Sequence, residues 1–196
     1  MMYYNPTADV KKSRTDLAIE YNCSIPNGIE KFNSWYKLYE NERPTPSIYQ
    51  IVITNPIVQI EGKYTQTYNL EYKSLEDVKA IRLEEISKKF DEISETAHVM
   101  SSCGFMIDAN EKANRDIEGL LKVMNNDGTE SELFRDYNNE FHAVTLKQLQ
   151  VMQIEVIKNG QYIYKQKWQF CTTLEALQNV EDVIAMNIEY NNLSFA

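Results

Sequence analysis

The chain has 196 residues, of which 43% are hydrophobic and 25% charged, and its 6 Gly and 5 Pro argue against a linker or a low-complexity chain. Its formal net charge of −9 disfavours nucleic acid and membranes as partners, because an acidic protein gains nothing at phosphate groups. No run reaches the ~20 apolar residues of a membrane span, and the N-terminus lacks a signal-peptide pattern. We therefore expect a soluble protein folded in a reducing cytoplasm, with Cys23, Cys103 and Cys171 unpaired.

The first part of the chain predicts short, mixed elements. A short helix is expected over Ala8–Tyr21, and a Pro-Asn-Gly turn lies within Ser24–Gly28. A second helical turn is expected through Ile29, Phe32 and Trp35.

Strands are predicted in the segment that follows. Tyr36–Tyr39 is expected to be extended, and Ile48–Thr54 and Ile57–Ile60 are runs of strand-forming residues. In Lys63–Tyr72 every second residue is polar, which is typical of a strand with one wet face. Glu61-Gly62 separates two of these runs and favours a hairpin.

From Ser74 onward the hydrophobic period becomes helical. Ser74 is a predicted N-cap, and apolar residues at helical spacing predict one helix to about Val99, roughly 26 residues or ~39 Å long. Cys103–Ile107 then predicts a short strand. Asp108 and Glu111 resemble a capping box for the next helix, which should end at the Asn-Asn-Asp-Gly of residues 125–128.

The last third predicts a hairpin followed by helices. Asn138-Asn139 is a good turn between strands near residues 133–144, and Thr145 can cap the next helix. Gly160 costs a helix ~1 kcal/mol, so this segment is either one helix with a weak point or two helices. Thr172 and Glu175 match a capping box and predict the start of a last helix.

These patterns together predict an α+β fold. We expect a small β-rich N-terminal module over residues 1–73 and a mainly helical domain over residues 74–196, with a long leading helix and the hairpin.

Motifs with a known chemical mechanism are absent, including phosphate-binding glycine loops, zinc motifs and the nucleophile elbow. One cluster, His98, Cys103 and Asp108, could form a base-activated thiol. A simpler interpretation makes Asp108 a helix cap, Cys103 a small core residue and His98 a residue at a helix C-terminus. We therefore assign no catalytic, cofactor-binding or metal-binding residue and predict that the chain is not an enzyme.

Two further groups of residues have a structural interpretation. The adjacent carboxylates Glu84-Glu85 and Glu181-Asp182 cannot face each other on a helix and are expected to be solvated. Aromatic residues close to lysines could stack nucleic-acid bases, but core packing or a protein interface suits an acidic chain better; they are Tyr162, Tyr164, Trp168 and Phe170.

Several of these motifs resemble small tail proteins of tailed bacteriophages. The C-terminal pattern runs from Gly104-Phe105-Met106-Ile107-Asp108 through Gly119-Leu120 and the hairpin to Thr145-Leu146. It is similar to a helical domain found at the C-termini of tail-fibre and tail-fibre-assembly proteins. The N-terminal pattern includes Arg43-Pro44 and the run from Glu61 to Tyr68, where Tyr64 and Tyr68 replace tryptophans that are common in the family.

The resemblance implies a structural or adaptor protein of a phage tail, at the baseplate or the fibre attachment, that acts by binding proteins. It places the chain in the virion, after synthesis in the host cytoplasm, and it carries no catalytic residues. A tail-fibre assembly accessory that leaves before the virion matures is the alternative, and a cysteine hydrolase is a remote one. We also expect an exposed apolar patch, and hence a homo-oligomer or an obligate complex with fibre or baseplate proteins.

Overall fold

The computed structural model describes all residues from Met1 to Ala196. It confirms the α+β class, with strands concentrated in the first part and helices in the second. The chain forms two compact units, Met1–Lys73 and Ser74–Ala196. No helix is both long and apolar enough to cross a membrane.

The N-terminal unit is built on a six-stranded sheet with a separate two-stranded ribbon. Its elements in chain order are β1 (Met2–Asn5), β2 (Val10–Ser13), α1 (Arg14–Glu20), β3 (Lys31–Phe32), β4 (Trp35–Glu40), β5 (Gln50–Thr54), β6 (Val58–Ile60), β7 (Lys63–Gln66) and β8 (Tyr68–Tyr72). The six-stranded sheet has the order β2-β1-β4-β7-β6, with β3 paired to β4, and the ribbon consists of β5 and β8. The Glu61-Gly62 hairpin is confirmed, since Ile60 pairs with Lys63.

Two helical predictions in this unit were wrong. The first helix does not cover Ala8–Tyr21; it starts after Ser13, whose hydroxyl and Asp16 form a capping box, and the residues before it pair as β2 with β1. The expected turn of helix around Phe32 is a hairpin, because Asn33 adopts a φ of 52° and lets Phe32 pair with Trp35. Strand β1 was not predicted.

Buried aromatic residues form the small core of this unit. Tyr3 and Trp35 pack with Leu17 and Ile25, and all four are almost fully buried. The Tyr3 hydroxyl donates to the Ile29 carbonyl at 3.0 Å, so the buried phenol keeps a hydrogen bond.

The C-terminal unit packs two long helices against a third and adds two hairpins. Its elements are α2 (Leu75–Thr96), β9 (His98–Met100), β10 (Met106–Asp108), α3 (Glu111–Asp127), β11 (Ser131–Arg135), β12 (Phe141–Thr145), α4 (Leu146–Ala176) and α5 (Val180–Ala185). β9 pairs with β10 and β11 with β12, both antiparallel. Buried residues from all three long helices meet in one core, among them Phe90, Ile117, Leu149 and Met152.

Caps define most helix boundaries here. Ser74 and Thr145 are N-caps as predicted, with Thr145 and Gln148 forming a capping box. Gly128 closes α3 in the left-handed region, at a φ of 68°. The α2 helix ends at Thr96, three residues earlier than expected, because His98–Met100 pair with β10 instead.

Two predicted caps were wrong. Asp108 does not cap α3, because it is the last residue of β10 and pairs with His98. Asn110 caps the helix instead, accepting from the Ala113 amide at 2.9 Å. Thr172 and Glu175 do not start a helix either. They lie inside α4, which continues unbroken through Gly160 for 31 residues.

The C-terminal tail is held against α4 by two buried amides. The Asn159 side chain accepts from the Leu193 amide at 2.8 Å and donates to the Asn192 side chain at 2.9 Å. The Gln166 side chain accepts from the Asn191 amide and donates to the Asn191 carbonyl, both at 2.8 Å. Ser194 forms a single bridge with Met100, so the tail adds one point of pairing to β9.

Candidate protein-binding surfaces

The three residues of the hypothetical thiol site are close in sequence but perform separate tasks. The His98 ring stacks on Tyr137 with centroids 4.7 Å apart, and its Nδ1 lies 3.1 Å from the Thr96 carbonyl oxygen. Cys103 lies in the turn after β9, half-buried, with its Sγ 3.9 Å from the Gln148 carbonyl oxygen. Cys103 and His98 therefore make their hydrogen bonds to different backbone carbonyls, and their side chains are not hydrogen-bonded to each other or to Asp108.

A second polar cluster, absent from the sequence predictions, closes the β11–β12 hairpin. Asp136 is 4% exposed; its Oδ1 accepts from the Glu140 amide at 2.8 Å, and its Oδ2 lies 3.0 Å from His142 Nε2. The His142 ring stacks on Phe105 at 4.0 Å. Burial raises the pKa of Asp136, but hydrogen bonds from Glu140, His142 and Asn138 outweigh it and hold the pKa below its usual value.

Asp136, Glu140 and His142 bring one ligand atom each within 4.8 Å of one another, which is the only such metal-sized group. Both Asp136 oxygens are already engaged within the hairpin. The cluster is therefore explained by turn closure, in which the carboxylate satisfies the loop amides. An Asp two residues before Asn138-Asn139 is the sequence signal that could have indicated it.

Glu155 is a buried carboxylate in the middle of α4. It is 4% exposed, and it accepts from the Ser101 hydroxyl at 2.6 Å and from the Ser102 amide and hydroxyl at 3.0 and 2.6 Å. These bonds tie the β9–β10 turn to the helix. Its position one helical turn after the buried Met152 could have indicated burial from the sequence alone.

The β5–β8 ribbon exposes apolar side chains and has no third strand. Val52 pairs with Leu70 and Gln50 with Tyr72, so Val52, Leu70 and Tyr72 share one face. Leu70 and Tyr72 are 38% and 47% exposed, and Ile51 on the other face is 43% exposed. A two-stranded ribbon is only marginally stable in water and leaves two edges unpaired, so this ribbon is suited to pairing with another chain.

The outer face of α4 is a second exposed surface with large apolar side chains. Tyr164 and Trp168 are 51% and 63% exposed, and Ile154 and Ile157 continue the same face toward the N-terminus of the helix. Of the four aromatic residues considered for base stacking, these two are therefore at the surface. Phe170 packs edge-on against Tyr190 with ring centroids 5.0 Å apart.

The β11–β12 hairpin adds two more exposed apolar residues on its outer face. Leu133 and Phe141 are 66% and 69% exposed, whereas Val144 on the opposite face is fully buried. Exposed large apolar side chains therefore occur on three separate surfaces: the β5–β8 ribbon, α4 and the β11–β12 hairpin.

A family model described as a domain of unknown function, DUF4376, matches residues 77–190. The chain belongs to the DUF4376 family. No curated protein matches it, and no solved structure does.

The DUF4376 match begins in the first turn of α2 and runs to Tyr190, beyond α5. The α4 face, the β11–β12 hairpin and the Glu155 network all lie inside it. The β5–β8 ribbon lies outside, in the N-terminal unit.

Proposed function

We propose that the chain is a structural or adaptor protein of a phage tail, placed at the baseplate or the tail-fibre attachment, and that it acts by binding other proteins. The tail assignment rests on the sequence resemblance over both units. The mode of action rests on the exposed apolar surfaces, and an acidic chain is better suited to protein partners than to phosphate contacts.

The observation that carries the proposal is the open β5–β8 ribbon. Leu70 and Tyr72 present apolar surface on one face, and the free edges of β5 and β8 offer unpaired backbone groups. A strand from a fibre or baseplate protein can add to such an edge, where backbone hydrogen bonds supply affinity and side-chain pockets supply specificity. Pairing of this kind also stabilises a ribbon that is marginal on its own.

The test compares phages that carry variants of the chain. Leu70→Asp with Tyr72→Asp places two charges on the ribbon face, and both positions are exposed enough to retain the fold. Ile19→Asp with Val10→Asp is the control, because these residues are 74% and 41% exposed and lie on other elements of the same unit. Quantitative mass spectrometry of purified particles should find the control at the wild-type copy number and the ribbon variant strongly depleted.

If both variants are incorporated into particles at the same copy number, the ribbon is not the surface that binds the tail. A chain that binds fibre protein in infected cells but is missing from every purified particle would instead act as an assembly accessory.

A further inference from the structure

The exposed face of α4 carries positive charge and no carboxylate. Between Leu146 and Leu174 the only acidic residue is Glu155, which is buried. Lys147, Lys158 and Lys165 are exposed on this helix, in a chain whose net charge is −9. This face is therefore a local positive stripe on an acidic protein.

The lysines of this stripe are unpaired, unlike the cations on the neighbouring helices. Every Lys and Arg of α3 forms an ion pair at i,i+4 spacing, and α2 pairs Lys88 and Lys89 in the same way. None of the α4 lysines forms an ion pair; only Lys167 has an assigned contact, over the Phe90 ring at 4.1 Å. The charges of Lys158 and Lys165 are therefore available to a partner.

A continuous groove follows the stripe. A depression of 360 Å³ reaches from Phe90 to Tyr164, and a second of 630 Å³ extends it to Trp168, with Ile157, Gly160 and Tyr164 lining both. A third continues past Trp168 to Thr173. From Ile157 to Thr172 the groove follows four turns of helix, or ~22 Å at 1.5 Å per residue.

Gly160 lies where the first two depressions meet, and it keeps the groove open there. A Cβ placed there would meet nothing within 4 Å, so the missing side chain leaves space rather than relieving a clash. On either side Ile157, Tyr164 and Trp168 provide apolar contacts at the spacing of successive helical turns. At the α3 end of the groove, the buried Oδ1 of Asn114 accepts no hydrogen bond. The Glu111 carboxylate also lines this end and lies 4.0 Å from the Arg115 guanidinium.

We propose that this groove binds an acidic amphipathic helix of a partner protein. The length matches a helix of about 15 residues, the apolar residues match anchors at i, i+3 or i+4 and i+7, and the unpaired lysines match carboxylates along the sides of that helix. An anionic membrane would also meet lysines and Trp168, but the chain's net charge of −9 opposes approach to such a surface, whereas a single acidic helix meets only the local stripe.

The groove belongs to the C-terminal unit and the ribbon to the N-terminal unit, so each surface has its own variants and can fail separately. Trp168 reports on the groove directly. It is 63% exposed, and the only other tryptophan, Trp35, is 3% exposed. Occupation of the groove should therefore shift tryptophan emission to shorter wavelength, and Trp168→Phe should abolish that shift.

The experiment titrates the full chain with designed, tryptophan-free helical peptides of about 15 residues. One carries a leucine face and glutamates elsewhere, and its matched partner carries lysines in place of the glutamates. The acidic peptide should bind and shift the emission. The double substitution Lys158→Glu with Lys165→Glu should weaken binding of the acidic peptide by about tenfold or more, and it should strengthen binding of the basic peptide. The control, Lys88→Glu with Lys122→Glu, makes the same change in net charge outside the groove. It should alter the affinity for either peptide by no more than about twofold.

Gly160→Leu supplies a test that does not depend on charge. Leucine is the better helix former, and the open space at Gly160 accommodates it, so the fold should be retained while the groove is filled. Binding of the acidic peptide should fall, with helical circular dichroism unchanged.

Three results would overturn the proposal. The first is equal binding of the acidic and basic peptides by the wild-type chain. The second is an emission shift of Trp168 with vesicles of phosphatidylserine and phosphatidylcholine but with neither peptide. The third is dimerisation through the groove, seen by sedimentation and abolished by the Lys158 and Lys165 reversal, with no peptide binding.

Discussion

Glu155 offers the sharpest test of how the C-terminal unit is held together. Its carboxylate is the shared acceptor for three donors of the β9–β10 turn, and the Ser101 hydroxyl that donates to it is completely buried. Glu155→Ala leaves the Ser101 hydroxyl, the Ser102 amide and the Ser102 hydroxyl without their acceptor. Each unsatisfied buried donor costs about 1–3 kcal/mol, and partial exposure of Ser102 reduces its share, so we expect a loss of about 3–5 kcal/mol.

Glu155→Gln keeps the shape and one carbonyl acceptor. It should cost about 1–2 kcal/mol, since both serine hydroxyls can rotate to new partners while the charge is lost. The measurement is urea denaturation followed by helical circular dichroism, which reports mainly on the C-terminal unit because α2 to α5 lie there.

A double-mutant cycle checks the cause of the loss. Ser101→Ala should cost about 2 kcal/mol in the wild-type chain, where it removes the donor to Glu155 and the acceptor of the Cys103 amide, and about 1 kcal/mol less in the Glu155→Ala chain, where only the Cys103 bond remains to be lost. A loss below about 1 kcal/mol for Glu155→Ala, or an equal cost of Ser101→Ala in both backgrounds, would refute the role of this network.

Three other substitutions test single features of the same unit by the same denaturation assay. Asn110→Ala should cost about 1 kcal/mol because it removes the cap of α3, whereas Asp108→Ala should change stability by less than about 0.5 kcal/mol; a reversed order would restore Asp108 as the cap. Gly160→Ala should stabilise the unit by up to about 1 kcal/mol through helix propensity, and destabilisation would show that the position is crowded. Burial raises the pKa of Tyr190 to about 12, while an unfolded tyrosine titrates near pH 10. The unfolded state therefore ionises first. The contribution of the Tyr190 phenol to stability is complete below pH ~10 and is lost between pH ~10 and ~12. Tyr190→Phe should remove that part of the alkaline decline, and an unchanged pH profile would contradict the burial of the phenol.

Local signals predicted the elements whose boundaries are set by neighbouring residues. The caps at Ser74 and Thr145 and the turn at Glu61-Gly62 require only a side chain and its neighbours within three residues. The same local reasoning failed where long-range pairing competes. Asp108 is a residue type that often caps helices, but its backbone is in a strand paired with His98, so the cap lies two residues later, at Asn110.

The end of α4 shows the same limit. Thr172 and Glu175 match a capping box, yet a cap acts only where the preceding residues have left the helix. Here Ile163, Gln166 and Leu174 stay buried at helical spacing, and their packing carries the helix through both Gly160 and Thr172. Strand β1 was missed for a related reason, because Tyr3 and Tyr4 are held in a strand by pairing with β2 and with the more distant β4.

The candidate surfaces could be predicted only in part. The acidic charge favoured protein partners over nucleic acid, but it does not specify which residues face outward. The α4 groove depends on how α2 and α3 pack around Gly160, and the ribbon depends on which strands lack neighbours. Both follow from tertiary packing, which the period of a single element does not specify.

We propose that this chain is a built-in part of a phage tail. The most direct test is mass spectrometry of purified particles of a phage that encodes it, with the copy number per particle measured against the major tail proteins. We predict a fixed copy number that is a multiple of three or six, as expected for the symmetry of fibres and baseplates. Absence from purified particles, with the chain present in infected-cell lysate, would contradict the claim.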